Sequence, residues 1–297
     1  MSDQSHIARA ISIYVLAGLF LSSVDATAKI LVQDYPLGWV VWARYAGNVL
    51  IVVPLALAKV GRDFWRTRQP LLQLGRSSLL LMATITFFSA LRYLPLAEAS
   101  AMAFLAPIII VLLSGPVLGE VVSRARWVAV VVGFTGVLLV TRPGSAAFHP
   151  AALLMLGMAL CNALYQLLTR KLRGDSVYTT LFYSGIVGAV TFSGMLPFLD
   201  PHPLPGIRDA LLFLLLGVLA GLGHWCIITA FLAAQASQLT PFGYLQMVWP
   251  LGFGWLLFGQ FPDHVSMVGM LVILTGGICL AWQERRRTRP LIASPTD

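Results

Sequence analysis

Apolar runs of roughly twenty residues recur along this chain with so few charges inside them that water cannot be the solvent for most of its surface. Ten such runs stand out: 10–31, 37–58, 74–94, 96–117, 124–141, 150–170, 177–197, 209–232, 237–258 and 265–283. Crossing a bilayer's hydrocarbon core takes about 20 helical residues. In lipid each backbone N–H and C=O must pair within its own segment, so an open chain crosses only as helices. A β-barrel needs short stretches of alternating polarity, which this sequence does not carry. The composition agrees, with 58% hydrophobic and 11% charged residues, against roughly 25% charged in soluble domains. The expectation is an all-α membrane protein with ten transmembrane helices.

The stretch 92–143 occurs twice. Moved forward 140 positions without a gap, Leu105 falls on Leu245, Gly119 on Gly259, Val128 on Val268, Val132 on Val272, and Thr135–Gly136 on Thr275–Gly276. Phe104 against Tyr244 and Glu120 against Gln260 are near matches. Identity is modest, but the hydrophobic runs and turns fall in step, which marks a tandem repeat. The two units are 10–142 and 152–284, five spans each. An odd number of crossings per unit inverts the second copy relative to the first, a plan that puts a transport site at the repeat interface. Lys and Arg number 15 on the side of the termini, Arg76 among them, and four on the other side, with Arg44 inside a span. That asymmetry places both termini in the cytoplasm.

One segment carries a family likeness. Ser100–Ala101, then Leu105 and Pro107, then a turn with Gly119–Glu120, then Gly133 and Gly136 before Thr141–Arg142–Pro143 resembles the EamA module of the drug/metabolite transporter superfamily. Both halves share the likeness, although the second has Gln260 for the glutamate and Pro250 rather than a proline at Met247. The resemblance implies a secondary transporter of the bacterial inner membrane that moves small organic metabolites by alternating access, with export of amino acids, aromatic ones included, as the first expectation. Small relatives in that superfamily exchange protons at a mid-depth carboxylate of the first helix. This chain has none there, so facilitated or weakly coupled movement is implied. Uptake of a nucleoside-like metabolite is the rival reading. An intramembrane enzyme acting on lipids is a third, and it lacks a reactive cluster at either interface. No Walker loop or H-E-x-x-H occurs.

The net charge of +8 comes from basic residues between spans, so it reads as topology rather than nucleic-acid binding. Cys161, Cys226 and Cys279 lie inside apolar runs, too far apart for a metal motif, and read as small core-filling side chains. No cofactor is expected. The expected partners are a small-molecule substrate and membrane lipid, with the chain acting as a monomer.

Polar groups inside spans are costly, and each needs a partner or a water-filled cavity. Asp25 and Lys29 lie four apart on one helical face and suit an ion pair; the competing role for Asp25 is a proton or substrate-amine site. Arg44, about 10 Å into the second span, either clamps a substrate carboxylate, snorkels outward, or pairs with Asp25 or Glu98. In the sixth span Asn162, Tyr165, Gln166 and Thr169 form a polar stripe that faces a cavity or a neighbouring helix. His224, midway along the eighth span, is a proton shuttle or a neutral hydrogen-bonded histidine. Tyr244 and Gln246 lie between Pro241 and Pro250, and Pro107 marks a matching interruption in the first half. The repeat offset places Thr84 opposite His224 and Phe88 opposite Ile228. With Met102, these residues make a site for an amphipathic solute: Arg44, Thr84, Phe88, Met102, Asn162, Tyr165, Gln166, His224, Tyr244 and Gln246. The last span of each half has no ionisable group in its interior. Its glycines suit close helix contact, so these two spans read as scaffold.

Overall fold

The computed structural model describes residues 2–118, 124–145, 148–172, 174–199, 203–233, 239, 242 and 244–288. Among them every regular element is helical: α1 Ser2–Asp34, α2 Leu37–Val60, α3 Pro70–Ala90, α4 Leu96–Ala103, α5 Leu105–Leu118, α6 Arg124–Thr141, α7 Ala152–Lys171, α8 Val177–Met195, α9 Ile207–Ala233, α10 Val248–Phe258 and α11 His264–Thr288. Six helical stretches are long and apolar enough to cross a membrane: Ala8–Asp34, Leu37–Val60, Pro70–Ala90, Ala152–Thr169, Val177–Phe198 and Ile207–Ile227. Leu96–Ile110, Val130–Thr141, Leu245–Phe258 and His264–Cys279 are shorter apolar helices. Leu71, Val128, Val131, Leu153, Val190, Leu214 and Leu256 stand exposed. A soluble protein does not display so much apolar surface, whereas lipid covers it without cost.

The interruption expected from Pro107 in the fourth run falls at Phe104, between α4 and α5. Pro107 is the cause. It has no N–H to give the carbonyl of Ala103, and its ring crowds that carbonyl. Pro250 has the same effect in the second half, where a 3₁₀ turn, Tyr244–Met247, precedes α10.

Packing exchanges the two halves. α1 lies along α9 as α3 lies along α7, and the 140-residue shift converts one pair into the other. The same shift converts α2 on α9 into α8 on α3, and α5 on α7 into α10 on α1. The α2–α8 and α6–α11 pairs map onto themselves. In the α6–α11 pair a Cβ built on Gly136 would come within 2.7 Å of the Gly269 carbonyl oxygen, and one on Gly269 within 2.7 Å of that of Gly136. Only glycine lets the backbones approach so closely.

Two sequence expectations need correction. Lys29 does not pair with Asp25. Its Nζ donates to the carbonyls of Leu91 (3.0 Å) and Leu94 (2.6 Å) and lies 5.4 Å from the Phe258 ring centre. These carbonyls follow the end of α3, where unpaired oxygens draw a cation. Arg76, counted with the connecting segments, is 1% exposed within α3. It belongs to the interior, not to the surface charge that sets topology.

Candidate functional site

α2 and α9 cross where Gly47 meets Gly217; a Cβ on Gly47 would come within 2.2 Å of the Gly217 Cα. That contact brings Arg44 and Asn48, one helical turn apart on α2, up to His224 of α9. Together with Tyr45, Leu80 and Ser184 they line a cavity with free room of about 10 Å³. This is about enough for one water and far below the roughly 300–1,000 Å³ of typical small-molecule sites, so the centre is nearly closed.

Arg44 is the free cation of this cavity. Among the described residues its guanidinium meets no hydrogen-bond acceptor and no carboxylate within ion-pair distance. Instead it lies 5.2 Å from the ring centre of Phe88, which is fully buried, and 6.0 Å from that of Tyr45. Asp25 and His224 both fall within its electrostatic reach. Neither snorkelling nor an ion pair with Asp25 or Glu98 therefore accounts for Arg44. Glu98 instead accepts from Ser266 Oγ at 3.2 Å, and Arg142 joins that cluster by pairing with Asp263. The arginine holds the Asp263 carboxyl below the usual carboxylate range. His224 Nδ1 donates to the Ala220 carbonyl at 2.8 Å, leaving Nε2 as the other polar atom of the ring. Asn48 is 6% exposed, and its Oδ1 has no hydrogen-bond partner.

Arg76 is bonded as fully as Arg44 is free. Its Nε donates to Thr169 Oγ1 (2.7 Å), Nη1 to Gln73 Oε1 (2.9 Å) and the Thr180 carbonyl (3.0 Å), and Nη2 to Tyr165 Oη (3.0 Å) and Ser184 Oγ (2.7 Å). All five guanidinium N–H groups are used. The guanidinium also lies 4.6 Å from the Tyr165 ring centre. Ser184 joins this network to the cavity wall.

The expected site residues are thus sorted. Arg44 and His224 line the cavity. Phe88 backs Arg44, and Thr84 bonds Tyr45 Oη at 2.8 Å behind the wall. Tyr165 reaches the site through Arg76 and Ser184. Gln166 instead turns to the exposed side of α7, so the polar stripe does not face one cavity as a unit. Asn162 is half-buried, outside the cavity lining. Met102 is 3% exposed in the apolar core. Gln246 lies against α1, where a Cβ on Gly18 would meet its Cγ at 2.5 Å. The Tyr244 side chain lies outside the described residues. Tyr45, Asn48, Ser184 and Arg76 were missed. Spacing held part of the signal, since Arg44 and Asn48 share a face of one helix, as do Arg76, Leu80, Thr84 and Phe88 of another.

Each mouth of the bundle carries a tie. At one end Tyr35 Oη donates to Asp209 at 2.7 Å, its ring meets Phe213 edge-on at 5.1 Å, and its carbonyl accepts from Arg92 at 3.0 Å. The Asp209 carboxylate, first, and burial raise the Tyr35 phenol above its ordinary pKa. At the other end Asp175 accepts from Thr67 Oγ1 and, at 2.8 Å, from Gln73 Nε2. The 140-residue shift takes Tyr35 to Asp175 and Phe213 to Gln73, so the two contacts are the same pair in the two repeats.

Comparison with known proteins matches the description of an EamA-like transporter family to residues 8–142 and again to 149–282. The chain belongs to the EamA-like transporter family. It is a small-molecule transporter rather than an enzyme. Among its relatives are a riboflavin transporter of Rhizobium johnstonii, 29% identical over 93% of this chain and 91% of the relative, and an S-adenosylmethionine uptake transporter of Rickettsia felis, 26% identical over 92% of each. A pseudopaline exporter of Pseudomonas aeruginosa is 27% identical over 90% of this chain and 94% of its own. A crystal structure with 20% identity superposes with a TM-score of 0.66 over 95% of this chain and 99% of the other, which establishes the EamA-like chain's fold.

Proposed function

We propose that this EamA-like transporter is a ten-span secondary carrier of two inverted five-helix repeats, moving a small organic solute whose acceptor-bearing head group is held by Arg44. The observation that carries the reading is that Arg44 is a cavity cation with no protein acceptor. A charge in a lipid-embedded bundle is costly, and an unshared guanidinium fork suits a carboxylate or a pair of carbonyls. Phe88 and Tyr45 behind it suit a flat apolar body. Amino acids, aromatic ones included, have both parts, and their export is the first direction to test. A second reading, uptake of a riboflavin-like solute, is supported by the 29% identical riboflavin transporter.

Both termini lie in the cytoplasm of a bacterial inner-membrane protein. With Arg76 and Lys29 taken out as interior groups, the basic residues still favour the terminal side by 14 to three. The carrier works by alternating access. Tyr35–Asp209 closes the mouth away from the termini, and Asp175 with Thr67 and Gln73 closes the other. Both ties are made here, which fits the small central cavity. Counterflow in proteoliposomes preloaded with riboflavin, phenylalanine, tryptophan or a nucleoside tests the reading. It predicts saturable accumulation of at least one solute with an acceptor-bearing head. Accumulation of none defeats it.

A further inference from the structure

We propose that Asn48 is the specificity-determining residue of this carrier, its carboxamide oxygen accepting an N–H of the bound solute while Arg44 donates to a carbonyl or carboxylate beside that N–H. The inference rests on the transport reading above and narrows its substrate class. Solutes of this class have a head group with a hydrogen-bond acceptor and an N–H close together, as in an α-amino acid or a cyclic imide.

The argument begins with cost. A buried carbonyl oxygen without a partner is costly, and such groups are rare enough that each calls for an explanation. Asn48 Oδ1 has no partner although Asn48 is 6% exposed and lines the cavity. A serviceable donor such as Arg44 stands one turn away on the same helix, yet the two do not bond. Instead the amide occupies a gap left by Gly185, where a Cβ would come within 2.8 Å of Oδ1. Glycine there brings no side-chain donor to Oδ1, which is left without a fixed structural partner.

Arg44 offers only donors. Asn48 supplies the complementary acceptor within one helical turn, and His224, with Nδ1 committed to Ala220, presents Nε2 from α9. Donor and acceptor side by side read a head group in two senses. A solute with the acceptor but no N–H leaves Oδ1 unpaired, and a site built around a hydrogen bond discriminates strongly against such analogues.

The test uses two solute pairs that differ by loss of the N–H: phenylalanine with 3-phenylpropionate, and riboflavin with 3-methylriboflavin. Initial transport rates at sub-saturating solute are measured in proteoliposomes for the wild type and Asn48→Leu. Thermal unfolding of both proteins is followed in detergent without solute. The expectation is that the wild type favours the N–H member of the transported pair by about tenfold or more. Asn48→Leu reduces that ratio to about threefold or less, while the empty protein melts no lower, because an apolar isostere removes an unsatisfied group. Unchanged discrimination in Asn48→Leu overturns the inference. So does a solute-free melting temperature that falls with discrimination intact, which marks a structural asparagine. If the variant does not fold, wild-type melting decides: the N–H member must raise it and its partner must not. Wild-type transport without preference defeats this inference but leaves the transport reading standing. Transport of none of the four solutes defeats this inference, and defeats the transport reading as well when counterflow finds no solute with an acceptor-bearing head.

Discussion

Two arginines of this carrier show how little a residue's type says about its role. Arg76 donates to three hydroxyls, one amide oxygen and one backbone carbonyl, so it joins α3, α7 and α8 from the inside. Arg76→Met removes all five bonds, although Ser184 Oγ still donates to the Thr180 carbonyl and Thr169 Oγ1 to that of Tyr165, at a cost of about 3 kcal/mol or more. The expected result is a markedly lower melting temperature in detergent. Arg76→Lys does not restore it, because an ammonium cannot span five acceptors in a planar fork. A melting temperature equal to wild type in either variant contradicts this role. Arg44 was legible from the sequence because it stands alone in an apolar run. Arg76 was not, since Arg62, Arg66 and Arg68 lead up to it and make it look like the last cation of a connection. Ser184 was hidden for a different reason: a single small polar residue in an apolar helix leaves no periodic trace.

At the scale of the helices, six of the spans, the two proline interruptions and the close α6–α11 approach could be read directly, because apolar run length, proline chemistry and glycine spacing are local properties. Gly136 against Gly269 shows this well. Which helix lies beside which was not legible beyond the repeat itself, and neither were the two ties. Tyr35 and Asp175 occupy matching positions with unlike side chains, so only their partners reveal the correspondence. If the ties hold opposite mouths, releasing one must bias the carrier towards that side. With Cys161, Cys226 and Cys279 replaced and Leu80→Cys placed in the cavity wall, Tyr35→Phe is expected to speed labelling by a polar thiol reagent added from the side away from the termini. Asp175→Asn is expected to speed it from the terminal side. Equal effects from both sides would contradict the assignment of one tie to each mouth.

For the whole molecule, the tandem repeat explains the main packing: α1–α9, α2–α9 and α5–α7 have their counterparts in α3–α7, α3–α8 and α1–α10, and the self-paired α2–α8 and α6–α11 contacts also join the halves. Function follows from what that packing leaves at the centre. Five N–H groups of Arg76 are satisfied, whereas the Arg44 guanidinium has aromatic rings beside it and, among the described residues, no hydrogen-bond acceptor. A cation with no protein acceptor contributes little that the fold needs, so its removal separates binding from stability. The decisive measurement is the transport KM of Arg44→Gln against wild type in proteoliposomes, for the solute found by counterflow, with melting temperature measured on the same preparations. The account predicts a KM raised about tenfold or more, as expected for loss of a charge-assisted hydrogen bond worth roughly 1.5–3 kcal/mol, with melting unchanged within about two degrees. An unchanged KM, or a collapse of folding with no folded carrier left to assay, would contradict it.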